Sequence, residues 1–170
     1  MQHVTITLDG EVYGLAELQP PACVARYLVW ASRLCVLMHA RNESSAEHIA
    51  RMANDPLSQA IFERLTSIWA IFLAGTHESV LMHRLNCPGL SLHEQALVMA
   101  VRCLQGPDDA GYVAAMSSIL PPTCIRAVRR DIEGLARLTT EFERERRRAF
   151  PAAQPGLALA SSGGESRRLH

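Results

Sequence analysis

Lysine is missing altogether: all seventeen basic residues are arginine, and with seventeen carboxylates the formal net charge is zero. A chain without excess positive charge has little long-range attraction for phosphates. The arginines are spread along the chain rather than gathered on one evident surface, which reads first as a coding bias. Aromatic residues are scarce, at 5%. The five cysteines (Cys23, Cys35, Cys87, Cys103 and Cys124) are odd in number and form no CxxC, which argues against a disulfide framework and for reduced, mostly buried thiols. The first residues, Met1 to Ile6, have neither a basic region before a long apolar core nor a small-residue cleavage site, so a cytoplasmic protein is expected.

Long apolar runs are also lacking. The most membrane-like stretch, 24–40, carries Arg26 and Arg33, and each arginine near a bilayer centre costs about 2.5–3.5 kcal/mol. It reads as a buried core helix. The run 68–74 is too short to span. No glycine-rich phosphate loop, GxSxG, HExxH or aspartate cluster is present, which makes an enzyme the less expected class.

What is present fits one domain of 170 residues, with 48% hydrophobic and 20% charged residues, close to the globular average. Alternation over 4–13 around Asp9-Gly10 predicts a β-hairpin. Helices are expected over about 22–41 and, from a Ser44/Glu47 capping box, about 44–53. Asp55-Pro56 opens the next, whose stripe is Leu57, Ile61, Leu65, Ile68 and Phe72, widened by Phe62 and Trp69, and Gly75 ends it. Residues 76–90 fit either a short helix or extended chain, with Cys87-Pro88-Gly89 suited to a type II turn. A second capping box, Ser91/Glu94, opens a helix to about Gln105 with Gly106 as its C-cap. Further helices are expected over 108–119 and 123–149. The last has the stripe Ile125, Val128, Ile132, Leu135, Leu138 and Phe142, and its internal Gly134 suggests a close crossing. The fold class is therefore all-α: a bundle of five to six helices (21–150), preceded by a hairpin arm (1–20) and followed by a disordered tail (151–170) poor in large apolar residues.

Three sets of residues carry possible chemistry. His83, Cys87 and His93, with His77 nearby, are a Cys/His set of the kind zinc accepts, and a helical 79–87 would put His83 and Cys87 on one face. No paired HxxxH or CxxC clamps such a site, and Cys87 alone reads as an ordinary turn cysteine or a thiol favoured by the following helix N-terminus. Residues 46–65 resemble a helix-turn-helix that would offer Gln59 and Arg64 to DNA. Asp55 stands where that motif buries an apolar residue, however, and the face is neither basic nor amide-rich. The run 141–148 holds three carboxylates against four arginines at intrahelical pairing distances, Glu143 to Arg147 and Glu141 to Arg144, so it reads as a solvated helix end.

The segment Cys87-Pro88-Gly89-Leu90-Ser91-Leu92-His93-Glu94, followed by Leu97, resembles a Cys-Pro-x-(Met/Leu)-(Thr/Ser)-x-x-Glu segment in small helical proteins of unknown function from alphaproteobacteria, especially sphingomonads. The likeness covers about 26–120. Those proteins carry extra cysteines beside the position of Cys87 and an Asp where His93 stands. The resemblance implies a helical fold and a bacterial origin, and no catalytic role. The expected function is a non-enzymatic interaction or regulatory module with an unknown protein partner, possible as a homodimer through an apolar helix face. The alternatives are a metal- or thiol-dependent protein using His83, Cys87 and His93, and DNA binding through residues 46–65.

Overall fold

The computed structural model describes residues 6–7, 23–41, 55–76, 80–83, 85 and 87–149. The hairpin expected over 4–13, apart from Ile6–Thr7, the short helix over 44–53, His77 and the tail from 151 lie outside the described residues. Among the described residues there are five helices: α1 (Val24–Ala40), α2 (Pro56–Gly75), α3 (Leu92–Gln105), α4 (Asp109–Ser117) and α5 (Pro122–Ala149). Ile6–Thr7 (β1) pairs in parallel with Val80–Leu81 (β2), Ile6 opposite Val80 and Thr7 opposite Leu81. None of the described helices is long and apolar enough to cross a membrane.

Three of the described helices start where a side chain satisfies free amide donors, whereas α1 begins at Cys23 without a side-chain cap. Asp55 caps α2 by accepting from Ser58 N at 2.7 Å, with Pro56 in the first turn where its missing N–H leaves nothing unpaired. Ser91 and Glu94 form the capping box of α3. Asp108 caps α4 through Gly111 N at 2.8 Å.

The helices assemble around one apolar core. α1 is flanked by α2 and α3, α2 lies along α5, and α3 packs on α4 and α5. Trp69, Phe62, Phe72, Leu34, Ile61, Leu65 and Ile68 are fully buried, so the three-and-four stripe of α2 faces inward as its spacing requires, with Leu57 only half-buried. Ile125, Val128, Ile132 and Leu135 bury the inner face of α5. Tyr27 stacks on Phe142 with ring centroids 4.7 Å apart, tying the start of α1 to the far end of α5. Tyr112 donates from its hydroxyl to Ile125 O at 2.8 Å, which joins α4 to α5 inside the core.

Of the two readings left open for 76–90, the helical one is not taken by any described residue: Val80–Leu81 is strand, Leu85 lies in a turn and Pro88 in a bend. The type II turn is the expectation that needs correction. Gly89 does not have the positive φ that a type II turn needs. Its carbonyl is instead drawn toward the interior by a buried arginine, and the site is built around that arginine.

Candidate functional site

Arg33 stands in the middle of the apolar α1 and is 2% exposed. A buried guanidinium survives only if its donors are filled and its charge is met. Both conditions hold. Nε and Nη2 grip the Glu94 carboxylate at 2.6 and 3.0 Å, a bidentate pair. Nη1 donates to Leu85 O at 3.2 Å and Cys87 O at 2.8 Å, and Nη2 to Gly89 O at 2.6 Å. Carbonyls of alternate residues 85, 87 and 89 thus close on one side chain, which fixes the path of this non-helical stretch.

Glu94 is itself 1% exposed and does two jobs. Its Oε2 accepts from Ser91 N at 2.8 Å, completing the capping box of α3, while both oxygens face Arg33. A local helix-start device and a long-range ion pair therefore share one carboxylate. Arg33 is a positioning group: its five N–H donors serve the fold and leave no donor for a ligand.

The knot holds open a cleft of about 340 Å³ between α1 and the 85–90 segment. Its walls are mostly apolar, with Val29 and Trp30 from α1, Leu85, Pro88 and Leu90 from the segment, and Val98 from α3. Arg26, exposed, stands at its rim, and Cys87, half-buried, is part of its lining. Trp30 Nε1 is buried without a hydrogen-bond partner. Beside the cleft the surface stays apolar: Leu90, Leu92 and Met99 are 38%, 55% and 50% exposed.

The three proposed metal ligands part company. Cys87 and His83 both reach Gly89; a Cβ there would lie 3.6 Å from Cys87 Sγ and 3.7 Å from His83 Nε2. They approach without sharing a helix face, since none of the described residues of this segment is helical. His93 is instead buried in the first turn of α3. Among the described residues no three His, Cys, Asp or Glu side chains come together to hold a metal ion.

The remaining thiols are built differently. Burial pushes Cys35 up to about 12, and its sulfur lies 3.7 Å from the Thr66 hydroxyl that donates to it. Cys103 is raised by burial and by Asp108 beside it. Neither is poised as a nucleophile.

The two DNA-facing candidates sit on the outside of α2. Gln59 donates to Glu63 at 3.3 Å, and Arg64 pairs with Asp131 of α5 at 2.6 Å. Arg64 also lies over Gly134, with its Nε 3.2 Å from where a Cβ would stand. It braces α2 against α5, and the close crossing suggested by Gly134 is the slot for this side chain.

Sequence reasoning missed Arg33 as the organiser of the site, although it registered Arg33, with Arg26, and the capping glutamate separately. The signal was the arginine itself, a charge inside an apolar helix that must find a buried carboxylate. No family model, curated protein or solved structure matches the chain.

Proposed function

We propose that the protein is a non-enzymatic interaction module of a bacterial cytoplasm, and that the cleft between α1 and the 85–90 segment receives an apolar side chain of a partner protein. The observation that carries this reading is the combination of a preformed, mostly apolar cleft with the buried Arg33–Glu94 knot that keeps it open. Preformed concavity with a few polar groups at the edge is what a recognition site requires, because little ordering remains to be done on binding. Leu90, Leu92 and Met99 extend the apolar surface beyond the cleft, and Arg26 at its rim favours a carboxylate next to the partner's anchor.

Cys87 provides a built-in reporter. Affinity capture from the native cell, with the full chain as bait, should yield a partner that protects Cys87 from alkylation while Cys124, which lines no part of the cleft, stays as reactive as before. Filling the cleft with Val98→Trp should weaken that complex at least tenfold. A complex that tolerates Val98→Trp and leaves Cys87 unprotected would place the interaction elsewhere. Light scattering over a dilution series tells a second copy of this chain from a different partner.

The thiol-dependent alternative draws support from one feature, the approach of His83 to the same glycine as Cys87, which lines the cleft. Its test is the rate of Cys87 alkylation with and without His83→Ala, together with metal analysis of protein purified without added zinc. An ordinary rate unchanged by the substitution, with no stoichiometric metal, removes it.

A further inference from the structure

α5 carries eight of the chain's seventeen arginines against five carboxylates, so the neutral sum hides a concentration of positive charge on one element. Arg126, Arg130, Arg137, Arg144 and Arg148 follow one another at steps of four, seven, seven and four residues. At about 100° per residue these five fall within roughly 40° of one line, opposite the buried stripe of Ile125, Val128, Ile132 and Leu135. All five are exposed, and none forms an ion pair with another described residue. The Glu141–Arg144 pair expected from spacing does not form, whereas Glu143 meets Arg147 at 3.6 Å. The other arginines of this helix are engaged: Arg129 with Asp109 and Glu133, Arg146 over the Phe142 ring.

We infer that this outward face of α5 is an electrostatic seat for a nucleic-acid phosphate backbone. At 1.5 Å per residue the stripe is about 33 Å long, close to one turn of a duplex. Guanidinium groups suit phosphate because their planar fork donates two bonds to one oxyanion. Two shallow recesses flank Arg144. One is lined also by Arg147, Arg148, Thr140 and Glu143, the other by Arg137, Gln105, Thr140 and Glu141, so each sets at least two guanidinium groups against one carboxylate. The stripe is narrow, with Glu133 on one side and Glu141 and Glu145 on the other. A line of phosphates along the arginines meets fewer of these carboxylates than a flat anionic bilayer would. The face also has no exposed large apolar residue to insert into lipid.

The test is binding of a 30-base-pair duplex DNA of arbitrary sequence to the full chain by fluorescence anisotropy, between 50 and 200 mM salt. Five phosphate contacts give a log–log salt slope of about −4.5, which is roughly a 500-fold loss of affinity over that range. The triple variant Arg130→Gln, Arg137→Gln, Arg144→Gln should lower the slope to about −2, with its helical circular dichroism unchanged because all three positions are exposed. Arg102→Gln, on the exposed surface of α3, should leave the slope alone. Absence of binding at 50 mM salt, or a slope that the triple variant does not change, overturns the assignment. So does binding to phosphatidylserine vesicles without binding to the duplex.

Discussion

Arg33 shows what a single buried charge demands of its surroundings. Removing it as Arg33→Met leaves the buried Glu94 carboxyl without its counter-charge and takes this donor from the carbonyls of Leu85, Cys87 and Gly89. Glu94→Gln leaves the guanidinium charge unmatched, although the amide oxygen can still cap Ser91. Each single change should cost about 3–5 kcal/mol, because an uncompensated buried charge is the dominant penalty. The double variant should lose less than the sum of the two, by about 0.5–3 kcal/mol, since the groups act as one unit. Urea unfolding of the four proteins measures this cycle, and simple additivity would mean that the pair is not energetically coupled. The pairing was not legible beforehand because its partners are 61 residues apart in the chain. What the residues did reveal was each half: a charge stranded in an apolar helix, and a glutamate at the third position of a helix.

At the scale of elements, local chemistry announced most boundaries. Asp55-Pro56 and Ser91/Glu94 begin α2 and α3 where hydrogen-bond satisfaction requires, and the structure adds Asp108 as the cap of α4. The 80–90 segment was ambiguous because its conformation is imposed by Arg33 from another helix and by pairing with Ile6–Thr7, neither of which is encoded nearby. The glycines separate these two kinds of cause. Gly134 is buried beneath Arg64, whose side chain is 45% exposed and able to move a few tenths of an ångström. Gly134→Ala therefore gains up to about 1 kcal/mol of helix propensity. It risks only a surface ion pair worth about 0–1 kcal/mol, so the melting temperature should hold or rise slightly. At Gly75 an added Cβ would stand 2.6 Å from Cys124 Sγ and 3.1 Å from its Cβ. Gly75→Ala should therefore lose about 1–3 kcal/mol by overpacking the junction of α2 and α5. Thermal melts of the two variants should move in different directions. A Gly75→Ala protein as stable as the parent would mean that this junction is loosely packed.

For the whole molecule, the missing lysines make the response to alkali unusually easy to read. Arginine keeps its charge, so above pH 9 only thiols and phenols are left to titrate among the side chains. Burial holds Cys35 up from 9 to about 12 and Tyr112 from 10 to about 12, and it raises Tyr27 as well. These groups keep their protons in the folded protein at a pH where the open chain has released them. The folded state then binds more protons than the unfolded one, so stability falls as pH rises through this window. The contribution is complete below about pH 9 and is progressively lost toward 12. Urea midpoints should accordingly be level from pH 7.5 to 8.5 and drop between 9.5 and 10.5. Tyr112→Phe and Cys35→Ala begin less stable at pH 7.5, one losing the bond to Ile125 O and the other leaving a small cavity beside Phe62 and Thr66. Both should nevertheless decline more gently with alkali, and the double variant most gently of all. If the double variant fell as steeply as the parent, the protons released on unfolding would have to come from other thiols and phenols, and these two would not be the groups that couple the core to pH.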